Sequence, residues 1–95
     1  MELHLISRLH EQRAWEVCRA RAESGIPIEL VLLHDAVLET EAKAAAILGE
    51  RASANVVVMA CAEDALARRV GERWAVIDYR GIIGRCVLAE RVTSW

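Results

Sequence analysis

Residues 55–68 read Asn55-Val56-Val57-Val58-Met59-Ala60-Cys61-Ala62-Glu63-Asp64-Ala65-Leu66-Ala67-Arg68. The β-branched run Val56-Val57-Val58 is the most strand-like in the chain. It passes without a Gly or Pro into an alanine-rich stretch of high helix propensity. The pattern predicts a strand over 55–60 and a helix over 62–70. Glu63 and Asp64 fall in the first turn of that helix, and Arg68 and Arg69 in its last. This charge order complements the helix dipole. A buried strand feeding directly into a helix is half of a βαβ unit.

The same alternation extends both ways. Upstream, 3–6 (Leu-His-Leu-Ile) is a short apolar run and reads as a strand. Residues 10–24 are rich in Glu, Arg and Ala and read as a helix stopped by Gly25. Pro27 blocks its continuation and favours extended geometry before it. Residues 28–33 are apolar except for Glu29, which suits a parallel strand covered on both faces. Residues 37–48 predict a second helix closed by Gly49, with Asp35 placed to cap it. Downstream, 74–77 predicts a fourth strand, 82–90 a last helix, and 91–95 a tail. The order β-α-β-α-β-α-β-α predicts a single α/β domain over 1–95. It is a three-layer α/β/α architecture with a mostly parallel sheet of four to five strands and right-handed crossovers.

Composition narrows the function. Ninety-five residues make one small domain. Such a chain buries only roughly 60% of its unfolded surface, so a deep lidded pocket is not expected. The hydrophobic fraction is 55%, above the ~45–50% usual for soluble domains. Yet 27% of residues are charged, and no apolar run approaches the ~18 residues of a membrane span. No secretory signal pattern is visible, which predicts a cytoplasmic protein without membrane attachment. A net charge of −2 gives no broad basic field, so direct nucleic-acid binding is not expected.

The chemistry-bearing residues lie where strands end, the edge at which ligands gather in parallel sheets. Ser7-Arg8, His34-Asp35, Cys61 and Asp78-Tyr79 all fall there. Cys61 stands at a helix start, where amide N–H groups favour a thiolate. Glu63 and Asp64 oppose that by their charge. Cys18 lies in the first helix, with Ala14, Val17 and Ala22 on roughly its face. It is either a core residue or a flank thiol near Arg19 and Arg21. Arg8 is a further cation that would stabilise a thiolate. Cys86, among Ile82, Ile83 and Val87, reads as packing. The three cysteines form no Cys-x-x-Cys or zinc-finger spacing, so they read as free thiols and no metal or cofactor is expected. His34 is a candidate proton shuttle. Trp95 either folds back on the domain or docks on a partner. Cys61 occupies the strand end where a receiver-like module would carry its phosphoacceptor aspartate, which weakens that reading and leaves a small-ligand-binding α/β module as its nearest form.

Three segments together resemble the DsrE/DsrF/DsrH sulfur-relay proteins, and within them the DsrH/TusB branch. Val76-Ile77-Asp78-Tyr79, an apolar helix and Ser94-Trp95 resemble that branch's ending. Residues 58–68 are similar to its third strand and following helix. Val31-Leu32-Leu33-His34-Asp35-Ala36-Val37 resembles its second strand and Asp-Gly-Val turn, with Ala36 in place of the glycine and His34 in place of a Gln- or Glu-like residue. About two additional residues precede the second strand, around Ile26-Pro27. The resemblance implies a subunit that carries, or helps to transfer, sulfane sulfur as a cysteine persulfide, in tRNA 2-thiouridine synthesis or sulfur oxidation. Cys18 matches the first-helix cysteine of DsrH-type members. Cys61 matches the active cysteine of the sister DsrE/TusD branch. Implied partners are sister DsrE/DsrF-like (TusD/TusC-like) subunits or a second copy, with persulfide donor and acceptor proteins. A non-catalytic structural subunit is the alternative, because TusB-type members can lack the thiol.

Overall fold

The computed structural model describes residues 1–95. Five strands alternate with four helices: β1 Glu2–Ile6, α1 Gln12–Glu23, β2 Ile28–Leu32, α2 Glu41–Ser53, β3 Val56–Cys61, α3 Ala62–Ala67, β4 Ala75–Ile77, α4 Tyr79–Leu88 and β5 Arg91–Ser94. The sheet order is β4-β3-β2-β1-β5. Every pairing is parallel. The residues expected to form a tail are therefore the fifth strand. β5 lies beside β1, with Leu3 in register with Val92 and His4 with Thr93.

Alternation along the strands divides the core in two. Ile6, Ile28, Leu30, Leu32 and Ala60 point to one face, where they meet buried residues of α1 and α2. The α1 contribution is Ala14, Trp15, Cys18 and Ala22, a single stripe at helical spacing. The α2 contribution is Ala44, Leu48 and Ala52, four apart. Each large aliphatic side chain sealed here contributes roughly 1.5–3 kcal/mol. Leu3, Val31 and Cys61 point to the other face, under Ile82 of α4. One helix covers that face, whereas two long ones cover the first.

Several boundaries differ from expectation for local reasons. His34–Leu38 forms a separate 3₁₀ turn, so Val37 does not begin the second helix. The cap of α2 is Thr40, whose hydroxyl accepts the Lys43 N–H, rather than Asp35. Gly49 breaks the helical geometry at φ 72°, but the chain resumes its helical turn through Ser53 instead of stopping. α3 ends at Ala67, because Arg69 takes a left-handed φ of 54°. α4 begins earlier than expected, at Tyr79, because the Asp78 carboxylate accepts the Gly81 N–H at 2.7 Å and caps it.

The sheet also holds a buried polar group on the α1 face. Glu2 is bound by the Arg21 guanidinium through both carboxylate oxygens. Its Oε1 also accepts from His4 Nε2 at 3.3 Å. On the far side of the imidazole, Trp95 Nε1–H donates to His4 Nδ1 at 3.1 Å, and the two rings stack 17° from parallel. Trp95 thus folds back on its own domain. Its backbone N–H donates to the Leu5 carbonyl, and its own carbonyl accepts the Ser7 hydroxyl. The arrangement requires a neutral His4 with its proton on Nε2.

Acid should therefore loosen this fold. The Arg21 guanidinium holds the Glu2 carboxyl at about 2, down from 4.5. Burial holds His4 below its usual 6.5. In both cases the unfolded chain takes up the proton first as pH falls, so stability is lost on acidification. The His4 contribution is lost below 6.5, and the Glu2 contribution between 4.5 and about 2. The urea midpoint should fall from about pH 7 to about pH 3, and Glu2→Gln should flatten the more acidic limb. A midpoint constant over that range would contradict the assignment.

Candidate functional site

The carboxyl ends of β2, β3 and β4 meet at one edge of the sheet, and the consecutive acids Glu63 and Asp64 tie them together. Cys61 ends β3 and stands at the start of α3 with extended geometry. Its Sγ lies 3.5 Å from Glu63 Oε1. Both Glu63 oxygens accept the Tyr79 N–H, at 3.2 and 3.4 Å, which satisfies the start of α4. Asp64 Oδ2 accepts the His34 N–H at 2.7 Å. Asp64 Oδ1 accepts the Tyr79 hydroxyl at 3.3 Å. Arg68 closes the group, with Nε donating to Asp35 Oδ1 at 2.9 Å and Nη1 lying 3.7 Å from Asp64. His34 sits at a φ of 50°, a strained region for a non-glycine residue. The Asp64 carboxylate receives the N–H that this geometry turns toward it.

Electrostatics at this edge disfavour a thiolate. Burial pushes the Cys61 thiol up. The Asp64 N–H at the helix start opposes that, but the carboxylates of Asp64 and Glu63 add to it. Burial also raises Tyr79, reinforced by the Asp64 charge. For Asp64 burial acts upward, yet the His34 N–H, the Cys61 thiol and Arg68 outweigh it and hold the carboxyl low. The helix-start effect anticipated from the sequence is therefore present and overruled by burial, with the two carboxylates adding to it.

Cys18 is not brought to this edge. It lies 0% exposed in the core between α1 and the sheet. Burial raises its thiol to about 12, leaving on the order of one thiolate in 10⁵ at neutral pH. Cys61 is likewise 0% exposed. Cys86 is half-buried against the α4-side core, in line with packing. The three arginines considered as thiolate partners are engaged elsewhere: Arg8 with Glu11, Arg19 with Glu23 and Arg21 with Glu2. Asp35 pairs with Arg68 and does not cap a helix. Ser7 is drawn to Trp95, apart from the Cys61 group. The sequence places Tyr79 at a strand end and Arg68 in the last turn of a helix but assigns neither a role in this group. The only signal for them was position, Tyr79 just past a strand and Arg68 four residues after Asp64.

No three His, Cys, Asp or Glu side chains are grouped so as to hold a metal ion. No helix is long and apolar enough to cross a membrane. No family model matches the chain, and neither a curated protein nor a solved structure matches it.

Two measurements check this site. Alkylation of the native protein near neutral pH should modify Cys86 first, with Cys18 and Cys61 reacting only as denaturant is added. Fast native labelling of Cys61 would contradict its sealed geometry. Gly81→Ala should cost about 1–3 kcal/mol in chemical denaturation. A Cβ at that position would lie 2.7 Å from Ile77 Cγ1 and 3.1 Å from the capping Asp78 oxygen.

Proposed function

We propose that the chain is a sulfur-relay subunit of the DsrH/TusB kind, one that supports transfer of sulfane sulfur between partners and is not itself a fast carrier. The family likeness in residues 31–37, 58–68 and 76–95 supplies the pathway class. The carrying observation for the supporting role is that Cys18 and Cys61 are both sealed at 0% exposure, with thiols pushed up. Persulfide transfer begins with a thiolate reaching the outer sulfur of a donor, so thiolate fraction and access both limit it. Neither is favourable in the isolated chain. What the chain does offer for assembly is an open apolar face on α4, where Ile83, Val87 and Leu88 are exposed.

A second reading, transfer through Cys61, draws on one observation. This thiol lies at the sheet edge beside the Tyr79 hydroxyl, and Tyr79 is itself exposed. A partner that displaced Tyr79 would open a path to Cys61. The Cys61 thiolate would then attack the outer sulfur of the donor persulfide. One S–S bond would form as the donor's breaks, and the donor would leave as a thiolate with no net oxidation.

Intact-mass analysis after incubation with a persulfide donor separates the two. The supporting role predicts no gain of about 32 Da, one sulfur atom, on Cys18 or Cys61 of the native chain. A gain abolished by Cys61→Ser establishes the carrier reading. A gain abolished by Cys18→Ser overturns the supporting role as well.

A further inference from the structure

β5 is held at its two ends by different means. At its start the Glu90 N–H donates to the Met1 carbonyl at 3.0 Å, which fixes the turn out of α4. Along the strand Arg91, Val92 and Ser94 are exposed and Thr93 is half-buried, so β5 adds little apolar burial of its own. Just past its other end Trp95 packs against the α1-side core. The Trp95 indole N–H meets His4 Nδ1 at 3.1 Å. The strand is hinged at Glu90 and latched at His4.

The latch joins two hydrogen bonds on one buried ring. His4 is 2% exposed. Its Nε2–H donates to Glu2, and its Nδ1 lone pair accepts the indole N–H. The two sides respond to a proton in opposite ways. On the Glu2 side an imidazolium is still a donor, and it gains an ion pair at 3.3 Å. On the Trp95 side Nδ1 becomes a second N–H facing an N–H, and the bond is lost. Ring geometry offers no compensation. The centroids lie 6.2 Å apart in near-parallel planes, with Nδ1 at the N–H edge of the indole and not over its π face. That edge carries partial positive charge, so an imidazolium gains no cation–π attraction there.

The groups around the imidazole keep the effect local. Glu2 shares its strand, Arg21 reaches in from α1, and Arg91 stands on β5 in register with Glu2. β2 presents Leu30 in register with His4, and Cys18 of α1, which senses the Glu2 charge, is a buried neutral thiol. Burial lowers His4 most, Glu2 opposes it, and Arg21 and Arg91 lower it further. Glu2, held by Arg21, stays ionised down to about 2. Between the two titrations His4 is protonated while the Arg21–Glu2 pair is intact. We infer that His4 is a one-sided proton latch: its protonation frees Trp95 and lets β5 swing out about Glu90, while β1 to β4 and their helices stay folded.

Release uncovers the outer backbone edge of β1 together with the indole ring, since the Trp95 N–H also leaves the Leu5 carbonyl. Loss of stability on acidification thus divides into a local opening and a later global unfolding. No thiol takes part, so the latch stands independent of the sulfur-relay reading.

The test is a heteronuclear NMR titration of the full chain from about pH 7 to about pH 3. The His4 ring nitrogens, the Trp95 indole N–H and the amides of 92–95 should change with one shared midpoint. Below it the amides of 92–95 should take random-coil shifts. Their protection from exchange, corrected for the intrinsic rate, should fall about tenfold or more. The amides of 28–32 and 56–61 should keep their native shifts through that step. His4→Gln keeps an amide oxygen as acceptor and has no proton to gain, so 92–95 should stay attached over the same range. Attachment of 92–95 until the whole sheet unfolds would overturn the latch. So would a release midpoint that differs from the His4 titration, or a folded His4→Gln that releases at the same pH. The first two outcomes are read on the wild type, so they decide the matter even if His4→Gln fails to fold.

Discussion

All five strands run the same way, so every connection between neighbours must cross a face of the sheet. Right-handedness then fixes which face. The steps β1 to β2, β2 to β3 and β3 to β4 move in one direction. The return from β4 to β5 crosses the whole sheet in the other. α1 and α2 accordingly lie on one face, and α4 lies by itself on the opposite one. This single constraint gathers the β2, β3 and β4 ends at one edge. It also leaves the second face thinly covered.

At the gathered edge the acidic pair is explained by backbone geometry. Strands that stop where helices begin leave N–H groups without partners. Glu63 takes the Tyr79 N–H and Asp64 takes the His34 N–H, which joins three crossovers through two adjacent side chains. The same carboxylates surround Cys61 with negative charge. A local feature that would favour a thiolate, the helix start, is outweighed first by burial and then by the residues that hold the edge together. Structural satisfaction and thiol activation compete here, and in the isolated chain the first prevails.

The ends of the chain are joined by a second polar group. Arg21, Glu2, His4 and Trp95 come from α1, β1 and the residue after β5, and each completes the hydrogen bonding of the next. Removing one member of such a buried group leaves charges or donors uncompensated. Its geometry also specifies where β5 lies, since Trp95 reaches His4 only when β5 is in register with β1. An edge strand of four mostly exposed residues is thereby secured at its end by an aromatic anchor.

Much of the fold was legible in residues 55–68 and in the alternation around them, because β-branched runs, alanine-rich segments and Gly25 act locally. Boundaries were less legible where a side chain at a distance decided them. Asp35 has the right chemistry for a cap, but Arg68, 33 residues away, holds it, and Thr40 caps instead. The tail could not be read as β5, since Arg91-Val92-Thr93-Ser94 becomes a strand only when β1 offers an edge. Of the candidate thiols, Cys61 was correctly placed at a strand end by its sequence neighbours. For Cys18 the helical spacing allowed both a core and a flank position, and the packing of α1 on the sheet put it in the core. The sequence by itself determined four of the five strands, the four helices that alternate with them, the parallel class of the sheet and the residue types at its carboxyl edge. Only the tertiary structure decided burial, and with it the protonation of the thiols, because desolvation and through-space charge depend on contacts between residues far apart in the chain.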